Sequence, residues 1–232
     1  LAIAGASYQG LFKNPMVSPD ILGASAGAGF GAAVGILLSF GAVGIQVISF
    51  LFGMGAVALT YFISTSINRG NNATLVLVLT GMVVSTVFAS FISLTKYVAD
   101  PYSKLPAITF WLMGGLNTVE MKDLGIVIFP LLLGAVPLML LRWKLNVMAF
   151  GDEEARALGL DVPRLRLVII VCSTVLTATS VSVSGMIGWV GLVIPHLARM
   201  ITGPNYNTLL TASMLIGSTF LLVVDNVARS AF

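Results

Sequence analysis

A chain of 232 residues that is 57% hydrophobic and only 9% charged has too little polar material to coat a water-soluble globule, where charge runs near 25%. Mean hydropathy is +1.01 and the net charge is only +3, so lipid is the solvent that suits most of this surface. One cysteine, Cys172, excludes an internal disulfide and every multi-cysteine metal site.

In lipid the backbone must satisfy its own hydrogen bonds, so apolar stretches of this length predict helices. Alternating segments of ~10 residues, which a membrane barrel needs, are absent from the sequence. The predicted spans are 1–12 (incomplete), 21–39, 45–67, 75–95, 119–141, 167–184, 186–201 and 207–228. The opening run LAIAGASYQGLF covers only ~18 Å as a helix, and the chain stops at Arg229-Ser230-Ala231-Phe232. The expectation is therefore the middle of a longer membrane protein. Turn-rich joints fall at Asn14-Pro15, Asn68-Arg69-Gly70-Asn71-Asn72, Asp100-Pro101 and Gly203-Pro204-Asn205.

The second span carries Gly23, Gly27, Gly31 and Gly35 at spacing four, with Ala24, Ala28 and Ala32 alongside. On a helix this is a stripe without side chains where another backbone can approach, as static packing or as a sliding surface. The segment KLPAITFWLMGGLN (104–117) has an apolar core too short to cross, and reads as a short interfacial or re-entrant helix on the outer side with Trp111 near the headgroups, the alternative being a long loop with an apolar middle. The span at 186–201 is short and holds Pro195, so it either crosses or re-enters. Span 167–184 holds Ser173, Thr174, Thr177, Thr179, Ser180, Ser182 and Ser184, whose hydroxyls can bond back to the helix or line a wet route.

Lys and Arg orient the bundle. If every span crosses, one side receives Lys13, Arg69, Arg142, Lys144, Arg156, Arg164, Arg166 and Arg199, and the other Lys96, Lys104, Lys122 and Arg229. The richer side is the cytoplasm. It holds GDEEARALGLDVPRLR (151–166), which concentrates Asp152, Glu153, Glu154, Arg156, Asp161, Arg164 and Arg166. Acids in a first turn and a following glycine predict a short helix, with Asp152 as its N-cap and Gly159 as its stop. So short a helix needs support, which Ala155 and Leu158 at i, i+3 can offer; Val162-Pro163-Arg164 then starts the next span. The alternatives are a docking element and a solvated loop whose charges only set topology.

Few other residues suggest chemistry. His196, the lone histidine, has no second ligand nearby and is read as structural. Gln9 can hydrogen-bond between helices, and Asn14-Pro15 stops one. Asn71 to Thr74 form a tight turn. Asp225 and Arg229 are spaced for an intrahelical ion pair, and charges within a span are candidates for function. No paired carboxylates or nucleophile–base set points to an enzyme, and no G-x-x-x-x-G-K-[ST] supplies a nucleotide site.

GDEEARALG following LLRWKLNVMAF resembles the cytoplasmic coupling loop of ABC importer permeases, and more narrowly of the family importing iron-siderophores, haem and cobalamin. Three stretches agree in order: GASYQGLFKNPMVSPDILGASAGAG (5–29), FWLMGGL (110–116) and SGMIGWVGLVIPHLARMITGPN (184–205), followed by Asp225-Asn226-Val227-Ala228-Arg229. The resemblance implies an all-α polytopic membrane bundle, a single permease domain over 1–232 with its coupling loop at 142–166. About eight of the family's ten spans would be present, at ~20 residues each.

It also implies roles. Gly151, Asp152, Glu153, Glu154, Ala155, Leu158 and Gly159 would sit in a groove of a separate ATPase subunit. Two permease copies would pair with two ATPases, and an extracytoplasmic substrate-binding protein would meet Arg229. Thr74 would lie at the inner gate. Gln9, Asn14, Pro15, Pro195 and His196 match the family's structural motifs, with Pro195 breaking its helix. The expected cargo is a whole metal chelate, crossing a bacterial or archaeal inner membrane, with no resident cofactor or metal and no nucleic acid among the partners. Two rivals stand: an ion-coupled secondary transporter in which Asp225 titrates, and an ABC permease of the same architecture for a metal ion or oxyanion.

Overall fold

The computed structural model describes residues 1–67, 73–117 and 119–231. The predicted joint at 68–72 lies outside the described residues, and with it Asn71 and Asn72 of the expected gate turn. The described residues form eleven α-helices and one 3-10 turn, and no strand. They are α1 (Ala2–Leu11), the 3-10 turn Pro19–Leu22, α2 (Ala24–Leu37), α3 (Ala42–Ile67), α4 (Ala73–Val98) and α5 (Lys104–Met113). Then come α6 (Met121–Leu140), α7 (Arg142–Phe150), α8 (Asp152–Ala157), α9 (Val162–Ser184), α10 (Val190–Thr202) and α11 (Tyr206–Ala231).

Five of these, α3, α4, α6, α9 and α11, are long and apolar enough to cross a membrane. The predicted spans also included α1, α2 and α10, which have 10, 14 and 13 residues. At 1.5 Å per residue α10 reaches only ~20 Å, short of a ~30 Å bilayer core. Burial divides the long helices: 72% of the apolar window of α9 is buried, against 17–22% in the other four. The others turn apolar faces outward, as a chain solvated by lipid does.

The chain divides into two compact units. One comprises Asp20–Asp123 and Thr177–Ile187. Within it α2 packs on α3, α4 and α5, and the glycine stripe explains the closeness of the α2–α3 contact. A Cβ on Gly27 would lie 2.6 Å from the Phe52 carbonyl, and one on Gly31 2.7 Å from that of Ile48. Gly23 does not share the stripe: it precedes α2 in a left-handed conformation (φ 94°) and faces Ser85. Beside the stripe, the rings of Phe30, Phe52, Phe88 and Phe91 form an aromatic cluster with centroids 5.2–6.2 Å apart.

The predicted short helix at 104–117 is α5. Its Lys104 donates from Nζ to the carbonyl of Ile36 at 3.1 Å and to Ser39 Oγ, placing a cation on the exposed carbonyls that end α2. Asp100, which precedes α5, accepts the backbone N–H of Ser103 at 2.8 Å and its hydroxyl. The hydroxyl bond of Ser103 is the main reason its carboxyl sits below the usual range.

The other unit comprises Leu1–Pro19, Leu124–Leu176 and Gly188–Phe232. Here α1 packs on α7, α10 and α11. Pro195 was expected to break its helix, yet α10 runs through it. Proline removes the N–H that would serve the carbonyl of Gly191, and its ring crowds that same carbonyl. That carbonyl lies against Gly5 so closely that a Cβ there would collide with it.

Three hydroxyls on α9 bond back to their own helix: Thr174 to Ile170 O (2.7 Å), Ser182 to Thr179 O (2.9 Å) and Ser184 to Ser180 O (2.9 Å). This is how a buried helix in lipid carries so many polar side chains.

Candidate coupling site

The charged stretch forms α8, one and a half turns held between α7 and α9. Asp152 was expected as its N-cap; it is the first helical residue, and Gly151 takes the cap. The reason is the carboxyl's other engagements. Asp152 Oδ2 accepts from Arg166 Nη2 at 2.7 Å, and Oδ1 lies 3.7 Å from Lys13 Nζ. A Cβ at Gly151 would run into the Glu154 carboxylate, so glycine keeps that entry open.

Gly159 stops the helix as expected. It is left-handed (φ 80°), its N–H reaches Arg156 O at 2.9 Å, and the Leu160 N–H reaches Ala155 O at 3.0 Å. This is the Schellman pattern, and the absence of a side chain makes it cheap. The same pattern closes α1, where Lys13 N–H reaches Gly10 O (3.3 Å) and Asn14 N–H reaches Gln9 O (3.1 Å). There the left-handed position is Lys13 itself (φ 51°), a conformation that costs a non-glycine residue about 1–2 kcal/mol.

The predicted apolar face of α8 is divided. Ala155 is fully buried and anchors the helix, but Leu158 is 65% exposed. Glu153, Glu154 and Arg156 are also exposed. One acid therefore binds inward while the other two, with Leu158, face away from the protein. Acids in the first turn and Arg156 in the last complement the helix dipole.

The sequence reading missed α7 as an element and missed what it does. Asn146 Oδ1 accepts the backbone N–H of Tyr206 at 2.8 Å, and its Nδ2 donates to Asn205 Oδ1 at 2.9 Å. Arg142 Nη1 reaches Asn207 O at 3.4 Å. Thus α7 is tied to the start of α11. An asparagine just after a charged helix start was the only local signal; nothing nearby in sequence paired Asp152 with Lys13.

The remaining predicted residues are scattered. Gln9 is buried; it accepts from Arg199 Nη2 at 3.1 Å and donates to Leu192 O at 3.3 Å, bridging α1 and α10. Asn14 Oδ1 accepts the Met16 N–H at 2.9 Å across Pro15, forming the expected turn. Thr74 lies half-buried in the first turn of α4. His196 is exposed on α10, and the described residues contain no cluster able to hold a metal. Arg229 Nε meets Asp225 Oδ2 at 2.7 Å, the predicted pair.

A cavity of about 440 Å³ opens beside α5, lined by Phe110, Trp111, Met113, Asn117, Ser184 and the backbone of Gly114, Gly115 and Gly185. No charged side chain lies in its wall.

Comparison with known proteins gives the architecture a context. A profile of the FecCD transport family matches residues 1–232. The molybdate import system permease protein of Haemophilus influenzae is 43% identical over 230 residues, 99% of this chain and 68% of that protein. A Helicobacter pylori protein named a probable iron chelatin transport system permease is 39% identical, over 99% of this chain and 69% of its own length. A solved structure described as an inward-facing conformation of a metal-chelate type ABC transporter superposes with TM-score 0.94 at 42% identity, over 100% of this chain and 73% of that one.

Proposed function

This chain belongs to the FecCD transport family and is an ABC permease, a multi-pass transport component; from that premise we propose that it is the membrane subunit of an ATP-driven importer of metal chelates. Two copies would form the pathway in a bacterial or archaeal inner membrane, two cytoplasmic ATPases would drive it, and an extracytoplasmic binding protein would deliver the cargo. The observation that carries the reading is α8, a short helix anchored inward by Asp152 and Ala155 whose Glu153, Glu154 and Leu158 are free to enter a partner's groove. An exposed leucine among acids, at the end of a helix fixed to its own body, suits a protein–protein contact better than a solvated topology signal.

The uncharged cavity wall of aromatic, thioether, amide and hydroxyl groups supports a bulky chelate as cargo. A second cargo has its own support. The Haemophilus influenzae relative is named for molybdate, so the oxyanion is the reading to test against.

The decisive experiment uses the full-length permease in vesicles with its ATPase. Uptake should vanish without ATP and survive collapse of the proton gradient; the reverse would favour the ion-coupled rival. Offering radiolabelled molybdate and radiolabelled ferric chelates in competition then decides the cargo class.

A further inference from the structure

The geometry points to Asp152 as a positioning residue: with Lys13 and Arg166 it forms a joint that fixes α8 to α1 and α9, so that displacement of α8 is passed to both. The inference rests on the importer reading and goes beyond it, because the outward residues of α8 make the contact while Asp152 faces the other way.

Three observations carry it. First, the two cations come from segments far apart in the sequence, one following α1 and one on α9, and each takes a different oxygen of the same carboxylate. Second, Arg166 is only 14% exposed and its buried Nε has no hydrogen-bond partner. Removing the carboxylate would therefore strand a largely buried guanidinium without its counter-charge. Third, Lys13 holds a left-handed backbone that glycine would adopt without strain. A strained residue persists where its side chain is used, and here that side chain reaches Asp152. Of the elements joined, α9 is the most buried of the long helices, so motion delivered to Arg166 reaches a helix held by packing along most of its length.

The test needs two readouts on the full-length permease. A spin label at Ala157→Cys, exposed on α8, is placed on a Cys172→Ser background. Asp152→Asn should convert a restricted spectrum into a mobile one, and the full charge exchange Lys13→Glu, Asp152→Arg and Arg166→Asp should restore restriction. In vesicles with the partner ATPase, using radiolabelled molybdate and ferric citrate as probes, Asp152→Asn should lower uptake per ATP about tenfold, as expected for loss of one charge-assisted contact. The charge exchange should recover most of it. Lys13→Gly should lower the same ratio with no loss of thermal stability, a combination that a merely structural role does not give.

An unchanged label spectrum in Asp152→Asn, or a mobile label with intact uptake per ATP, would overturn the inference. Loss of stability in Lys13→Gly parallel to loss of coupling would do so too. Wild-type uptake indifferent to ATP would instead remove the importer reading, and the coupling role with it, while the label spectra alone would still report whether the joint holds.

Discussion

Asn146 accepts the backbone N–H of Tyr206 at 2.8 Å, satisfying the first orphan donor of α11 from a different helix. The next belongs to Asn207, whose N–H is taken by the side chain of Asn205 at 3.0 Å. Between them they cap α11 and bind α7 to it. Asn146→Ala should cost about 1–2 kcal/mol, the range for losing a cap and its bond. A thermal midpoint in detergent equal to wild type would refute that role.

Close approach of α2 and α3 depends on missing side chains. Gly27→Ala would place a Cβ 2.6 Å from both the Phe52 carbonyl and the Ala56 Cβ. Such overpacking costs about 1–3 kcal/mol, so the yield of folded protein should fall. Gly55→Ala, on α3 with nothing within 4 Å, is the control and should be neutral or mildly stabilising. Equal behaviour of the two variants would mean the helices can separate without penalty.

Leu158 is 65% exposed, so Leu158→Ser should leave folding unchanged within about 0.5 kcal/mol. If α8 enters an ATPase groove, association of the two subunits should nevertheless weaken about tenfold or more, as when a buried apolar anchor is truncated. Pull-down affinity measured beside thermal stability separates the two effects. Glu153→Lys with Glu154→Lys should uncouple ATP hydrolysis from uptake in the folded protein, and transport at wild-type efficiency would count against both residues.

The Asp225–Arg229 pair offers a charge test of the proposed contact with a binding protein. Arg229→Glu should weaken docking of an acidic binding protein, more at low salt than at high, since exposed charges are screened within ~8–10 Å at ordinary ionic strength. It would also set two acids one turn apart, so Asp225→Lys is added as a second change to keep the helix paired. Identical carrier affinity at every salt concentration would remove Arg229 from that contact.

Much of the helical layout was legible because lipid imposes one solution on long apolar runs: the backbone closes its bonds locally, and hydropathy then reveals position. The Asp225–Arg229 pair was legible for the same reason, being set by spacing along one helix. Terminal details were less so. Gly23 and Asp152 were displaced from their expected places by the turn geometry before α2 and by distant cations. Pro195 did not interrupt α10, and the Gly191 carbonyl that it deprives of a helix donor lies against Gly5, a residue of another helix. Leu158 left the predicted apolar face because one alanine suffices to seat so short a helix.

From its residues alone this protein was bound to be helical, lipid-solvated and dense in charge at one loop, since those properties depend on composition and on spacing within single segments. Which acid of that loop turns inward, which long helix is most buried, and how α7 fastens to α11 were decided only by folding. Each is a contact between segments far apart in the chain, and no local pattern encodes which cation a carboxylate will meet.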